Sequence, residues 1–168
     1  VRQCRSLEVA AIVTDGNLHP IESFHAIVYQ PQDVLDSMDA WCKEHHGKSG
    51  LSAAVPKGKP ELEVETNLLQ LISKHWAETE RPILAGNSIS HDRKFIDAYM
   101  PRLAKKLHYR MLDVSSFKIV FQDRFKIHYE KKGSHRALDD RATQFAAGDF
   151  HHGHGCVPSR SRCSRRFQ

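Results

Sequence analysis

Leu7 to Thr14 (LEVAAIVT) is an apolar, β-branched run that breaks at Asp15-Gly16-Asn17 and resumes as a second extended run, Ile21 to Tyr29. Two such runs around an Asp-Gly turn predict a β-hairpin. This is the strongest constraint in the chain, because a hairpin turn sets strand register and register decides which side chains can face a core. The apolar period then changes to that of a helix. Val34, Leu35, Met38, Trp41 and Cys42 predict one helix from Pro31 to about His45, stopped by Gly47-Lys48-Ser49-Gly50. Leu62, Leu69, Ile72 and Trp76 predict a second, from Pro60 to about Trp76. Beyond it the spacing alternates: strand at Pro82 to Ala85, helix at Asp92 to Tyr99, strand at Tyr109 to Asp113, helix from Ser115 to about Phe125, and a last helix from His135 or Arg136. A hairpin followed by alternating helices and strands predicts an α/β layered domain with a mixed sheet.

The 168 residues suit one domain with a core of its own, expected over residues 1–147. Residues 148–168 lose all periodicity, and Arg160, Arg162, Arg165 and Arg166 there supply most of the formal net charge of +5. A basic tail without packed structure is the expectation for that segment. Since the charge excess sits in the tail, the global pI of about 9.1 says little about partners of the folded part. Cys4, Cys42, Cys156 and Cys163 come without a leader-like segment and are expected to be thiols in a reducing compartment. The longest apolar run, Val9 to Val13, is far below the roughly 18 residues of a membrane span, so no membrane partner and a soluble, cytoplasmic protein are expected. His151, His152, His154, Cys156 and Cys163 fit no common zinc spacing.

Two stretches can carry chemistry. Asp92 lies in Gly86-Asn87-Ser88-Ile89-Ser90-His91-Asp92, after a short apolar strand and at the start of a helix, where α/β folds commonly hold ligands. An Asp there can equally serve the helix terminus alone. The other stretch is Gly133-Ser134-His135-Arg136-Ala137-Leu138-Asp139-Asp140-Arg141. On an ideal helix Asp139 lies under His135, whereas a loop before the helix lets Asp140 share a cleft with the imidazole, and spacing alone does not choose.

Together these stretches resemble the DEDD-type 3′→5′ exonucleases with a histidine base. AGNSISHDRKFIDAYMPRL, LHYRMLDVSS, LDSMDAWCKEHHGKSGL and SHRALDD are similar to the oligoribonuclease family, which degrades very short RNA, and the likeness runs from about Leu7 to Asp140. The resemblance implies a ribonuclease H-like mixed sheet flanked by helices. It implies hydrolysis assisted by two divalent ions roughly 4 Å apart, Mg²⁺ or Mn²⁺ held by carboxylate oxygens, with Asp92 and Asp140 as two of four ligands. It makes His135 the general base, a role that a near-neutral imidazole suits. Trp41 is implied to stack on a base, and Tyr109 to reach the substrate from the second subunit of a homodimer. His46, Ser88, Arg110 and Ser115 match residues that close around the 5′ phosphate of a short single-stranded RNA. Without the resemblance, Trp41 could as well be core beside Met38, and Arg110 could pair with a surface acid.

The match stops at the family's Asp-x-Glu strand and the Thr-Gly-Leu that follows it. These 168 residues contain no Asp-x-Glu, and Leu7-Glu8-Val9-Ala10 matches the family's second strand. A sheet incomplete at its N-terminal end, poor metal binding and impaired turnover are therefore expected. A non-catalytic module that binds short RNA or dimerises, and a DNA proofreading-type exonuclease, are the alternative readings.

Overall fold

A computed structural model describes residues 5–128. The hairpin forms as expected: β1 (Glu8–Thr14) pairs antiparallel with β2 (Pro20–Ile27), Ala11 opposite Phe24. Asp15 closes the turn, its carboxylate accepting from the amides of Asn17 and His19 at 2.8 Å each. Beyond β2 the chain stays extended far enough for Val28 to form a parallel bridge with Lys59. Gly58 makes that approach possible, since a Cβ there would stand 2.7 Å from the Tyr29 nitrogen.

The single helix expected from Pro31 to His45 is instead two, α1 (Gln32–Asp36) and α2 (Ala40–Lys48). Asp39 causes the break: its carboxylate accepts from the Cys42 amide at 2.7 Å and starts a new helix in place of continuing the old one. The expected stop holds, with Gly50 in the left-handed region at φ 76°. A short helix α3 (Leu51–Ala54) and a 3-10 turn (Val55–Lys57) follow, neither of which the periodicity indicated.

Helix α4 (Glu61–His75) carries Glu61 and Glu63 in its first turn and Lys74 and His75 in its last, which suits the helix dipole. Its buried stripe is Val64, Leu68, Leu71 and Ile72, so Leu62, expected on that face, points to solvent instead. The chain then makes a βαβ unit: β3 (Leu84–Gly86), α5 (Ser90–Tyr99), α6 (Pro101–Lys106), and β4 (Met111–Asp113) parallel to β3. Helix α6 was not expected. Pro101 forces Met100 out of helical geometry, to φ −127° and ψ 64°, then occupies the first turn of the new helix. Helix α7 (Val114–Phe125) closes the described part. Strands of both senses are thus present, divided among the described residues into two separate pairs, β1 with β2 and β3 with β4.

One core cluster joins Val9 and Ala11 of β1, Val64, Leu68 and Ile72 of α4, Leu84 of β3, and Ile96, Met100 and Leu103 of the α5–α6 region. Another gathers Leu7, Leu35, Met38, Cys42, Leu51 and Val55 beneath α2. The buried polar exception in α4 is Glu65. Its carboxylate accepts from the amides of Arg102 at 2.7 Å and Leu103 at 3.1 Å and from the Arg102 guanidinium at 2.8 Å, so one helix caps the next. Burial pushes the Glu65 carboxyl up, but Arg102 and the two amides outweigh it and the net direction is down. A carboxyl lowered in the folded state stabilises above its unfolded pKa and loses that contribution as pH falls through the folded value. Glu65→Ala should lower unfolding free energy by about 2–3 kcal/mol in urea at neutral pH, and the gap to the parent should narrow on acidification. A neutral-pH difference of a few tenths would remove Glu65 from this role.

Candidate active site

The βαβ unit places its ligand-facing groups at the C-terminal ends of β3 and β4, the usual ligand position in α/β folds. Ser88 sits there in the left-handed region at φ 52°, uncommon for a residue with a Cβ. Its amide donates to Asp113 Oδ1 and Ser115 Oγ, both at 3.0 Å, and its hydroxyl lies 3.3 Å from that of Ser115. Asp113 also caps α7 by accepting from the Ser115 amide at 2.9 Å. Two serines expected in phosphate contact, 27 residues apart in sequence, therefore share one hydrogen-bonded corner. Lys118 of α7 donates to Asn87 Oδ1 at 2.7 Å, adding a cation at the same turn.

Asp92 stands in the first turn of α5 and is buried, at 5% exposure. Beside it, Arg93 donates to the His108 carbonyl at 3.2 Å and pairs with Asp97 at 2.9 Å, fixing α5 against the approach to β4. That approach carries Tyr109, 72% exposed, stacked with His108 at 4.5 Å between ring centroids. The Arg110 guanidinium lies 5.3 Å from the Tyr109 ring centroid, so Arg110 contacts an aromatic face.

Trp41 and His46 ride on α2, over the other core cluster. Trp41 is 55% exposed and stacks with His45 at 3.9 Å, whereas Met38 is buried. The core alternative for Trp41 is thereby excluded. His46 is buried in the last turn of the same helix. The cap below them is charged: the Cys42 amide, first among its hydrogen bonds, holds the Asp39 carboxyl below the ordinary carboxylate range.

His135 and Asp140 lie outside the described residues, as do Asp139 and the tail's His and Cys residues. Among the described residues no group of three or more His, Cys, Asp or Glu side chains could hold a metal ion. Asp92 is the expected ligand found within them, and one carboxylate does not make a two-ion site. Cys42 is buried and forms no disulfide. No helix of the described residues is long and apolar enough to cross a membrane. Sequence reasoning missed Asp113 and Lys118. Asp113 had a readable signal, an Asp between an apolar strand and Val114-Ser115-Ser116, which is a helix-start pattern.

A serine in the left-handed region stands at these strand ends, and an exposed tyrosine beside an arginine precedes β4. Comparison with known proteins gives the class: the exonuclease family matches residues 2–146. Human mitochondrial oligoribonuclease is 44% identical over 140 residues, 80% of this chain and 59% of the relative. A probable oligoribonuclease of Schizosaccharomyces pombe is 41% identical over 138 residues, 80% of this chain and 55% of the relative. The oligoribonuclease of Francisella tularensis is 39% identical over 156 residues, 90% of this chain and 86% of the relative. The chain belongs to the oligoribonuclease family of exonucleases. It spans 59% of the length of its human relative.

Two measurements check the local physics of this site. Ser88→Gly should melt no lower than the parent, because relief of the left-handed Cβ penalty of about 1 kcal/mol offsets one long hydroxyl contact, while Ser88→Val should melt lower. Asp39 has a folded pKa below its ordinary 3.8, so its contribution is present above that value and lost as pH falls through the folded one. Asp39→Asn keeps a capping oxygen that does not titrate, and acid melts followed by circular dichroism should show a weaker pH dependence than the parent.

Proposed function

We propose that this chain acts as a 3′→5′ exoribonuclease on very short oligoribonucleotides, dinucleotides above all, releasing mononucleotides with low turnover. The observation that carries this reading is the Ser88–Ser115 corner, built on Asp113 and standing at the ends of β3 and β4. Its hydroxyls, with Arg110 and His46, suit the 5′ phosphate of a short RNA. A closed phosphate end favours short substrates because a longer strand has nowhere to continue. The exposed indole of Trp41 offers a face for a base, and stacking of that kind tolerates any sequence. Tyr109 is exposed enough to reach a neighbouring copy, which supports the reading of a homodimer in which it completes the partner's site.

His135 is assigned the proton from the attacking water, and Asp92 and Asp140 are the carboxylates assigned to Mg²⁺ or Mn²⁺. Low turnover follows from the donor set. No Asp-x-Glu occurs in the 168 residues, so two carboxylates face the charge that the resemblance gives to four. The same gap favours a second reading, a module that binds short RNA or dimerises without cleaving. The relatives' names support the RNA substrate, and one of them adds a mitochondrial address, while a buried cysteine outside any disulfide suits any reducing compartment, the cytoplasm included.

Hydrolysis of a 5′-labelled diribonucleotide with Mn²⁺, parent against Asp140→Ala, separates these readings. Slow mononucleotide release that disappears in the variant supports the enzyme. Binding without release, weakened in Arg110→Ala, supports the module instead. In either case Trp41→Ala should cost about 1–3 kcal/mol of dinucleotide affinity by titration, the usual worth of one stacked base.

A further inference from the structure

Trp41 stands in the first turn of α2, and the same helix supplies it with a partner one turn on. The His45 ring lies 3.9 Å from the indole between centroids and within 22° of parallel to it, a stacked pair. His45 Nδ1 also meets the Trp41 carbonyl oxygen at 2.8 Å. A carbonyl only accepts, so Nδ1 carries the hydrogen and donates. The imidazole is thus tied to one residue twice, at its indole and at its peptide group. Residues four apart on a helix face the same side, so the meeting follows from Trp41-Cys42-Lys43-Glu44-His45 once Asp39 has set the helix start. A stack hides one face of an indole, and the 55% exposure that Trp41 retains leaves the other face to solvent. Without such a tie an exposed indole changes rotamer freely, and a base that stacks on it must order it at the same time.

We propose that His45 is a positioning residue for base binding: it holds the Trp41 indole in one rotamer, with the uncovered face ready for a nucleotide base. The inference rests on the reading of Trp41 as the base contact. His45 itself touches no RNA in this arrangement, and its whole effect on affinity passes through the indole. It therefore differs from its neighbour His46, which is buried and assigned to the phosphate. The stacked plane carries the effect, so another flat ring at position 45 can take its place, whereas a methyl group cannot. A pair at this spacing can also serve only the stability of the helix. Such a purely structural role would act on affinity whether or not Trp41 is present.

The test is a double-mutant cycle on diribonucleotide affinity, measured by titration of the full 168-residue chain. His45→Ala should weaken binding about 5-fold in the parent and leave it unchanged in the Trp41→Ala background, while His45→Phe should stay within about 2-fold of the parent. Glu44→Ala removes a different four-apart pair of the same helix, Glu44 with Lys48, and should leave affinity unchanged. Fluorine NMR reads the indole directly. The chain has two tryptophans, so fluorotryptophan labelling gives two signals, assigned with Trp41→Phe. His45→Ala should shift and narrow the Trp41 signal and leave that of Trp76 in place, whereas His45→Phe should keep the Trp41 signal broad. An unchanged Trp41 signal in His45→Ala overturns the proposal. So does a loss of affinity that persists in the Trp41→Ala background, because His45 would then act on the RNA or on the fold by another route. A parent that binds diribonucleotide and ignores His45→Ala overturns this inference alone, whereas a parent that binds none overturns the reading of Trp41 and this inference with it.

Discussion

Among the described residues the hairpin and the parallel pair exchange no ladder hydrogen bonds, so what holds them in one core is the apolar stripe of α4. Val64, Leu68 and Ile72 share one buried cluster with Val9 and Ala11 of the hairpin and Leu84 of the parallel pair, and burying each such side chain is worth about 1.5–3 kcal/mol. Two polar ties reinforce the same helix. Glu22 of β2 meets Lys74 at 2.7 Å and His75 at 2.8 Å, and Glu65 caps α6. The first pair is largely exposed and weak in energy, whereas the second is buried on the carboxylate side and fixes where α6 begins. The position of α6 in turn sets the path that returns the chain to β4.

That return path is what brings the candidate site together. Arg93 anchors α5 to the His108 carbonyl, and the next residues are Tyr109 and Arg110, followed by β4 and the Asp113 cap. Asp113 then serves two purposes at once: it starts α7, and it holds Ser88 in a conformation that serine ordinarily avoids. A strained residue at the mouth of a strand pair is where binding chemistry concentrates, because the surrounding fold supplies the energy that keeps it poised. Trp41 depends on a different device. The Asp39 cap breaks the helix expected there and thereby turns the indole outward while Met38 and Cys42 stay inside.

Much of the fold was legible locally. The hairpin followed from Asp15-Gly16-Asn17, the end of α2 from Gly50, the span of α4 from its period, and the turn from β3 into α5 from Gly86-Asn87-Ser88. These features rest on forces between residues a few positions apart, which a sequence states directly. The tertiary structure decided the rest: that Leu62 faces solvent, that Trp41 is outside, and that Ser88 and Ser115 meet. Each of those outcomes turns on a cap or a contact competing with periodicity, in one case across 27 residues, and such competition is settled only when the chain has closed on itself.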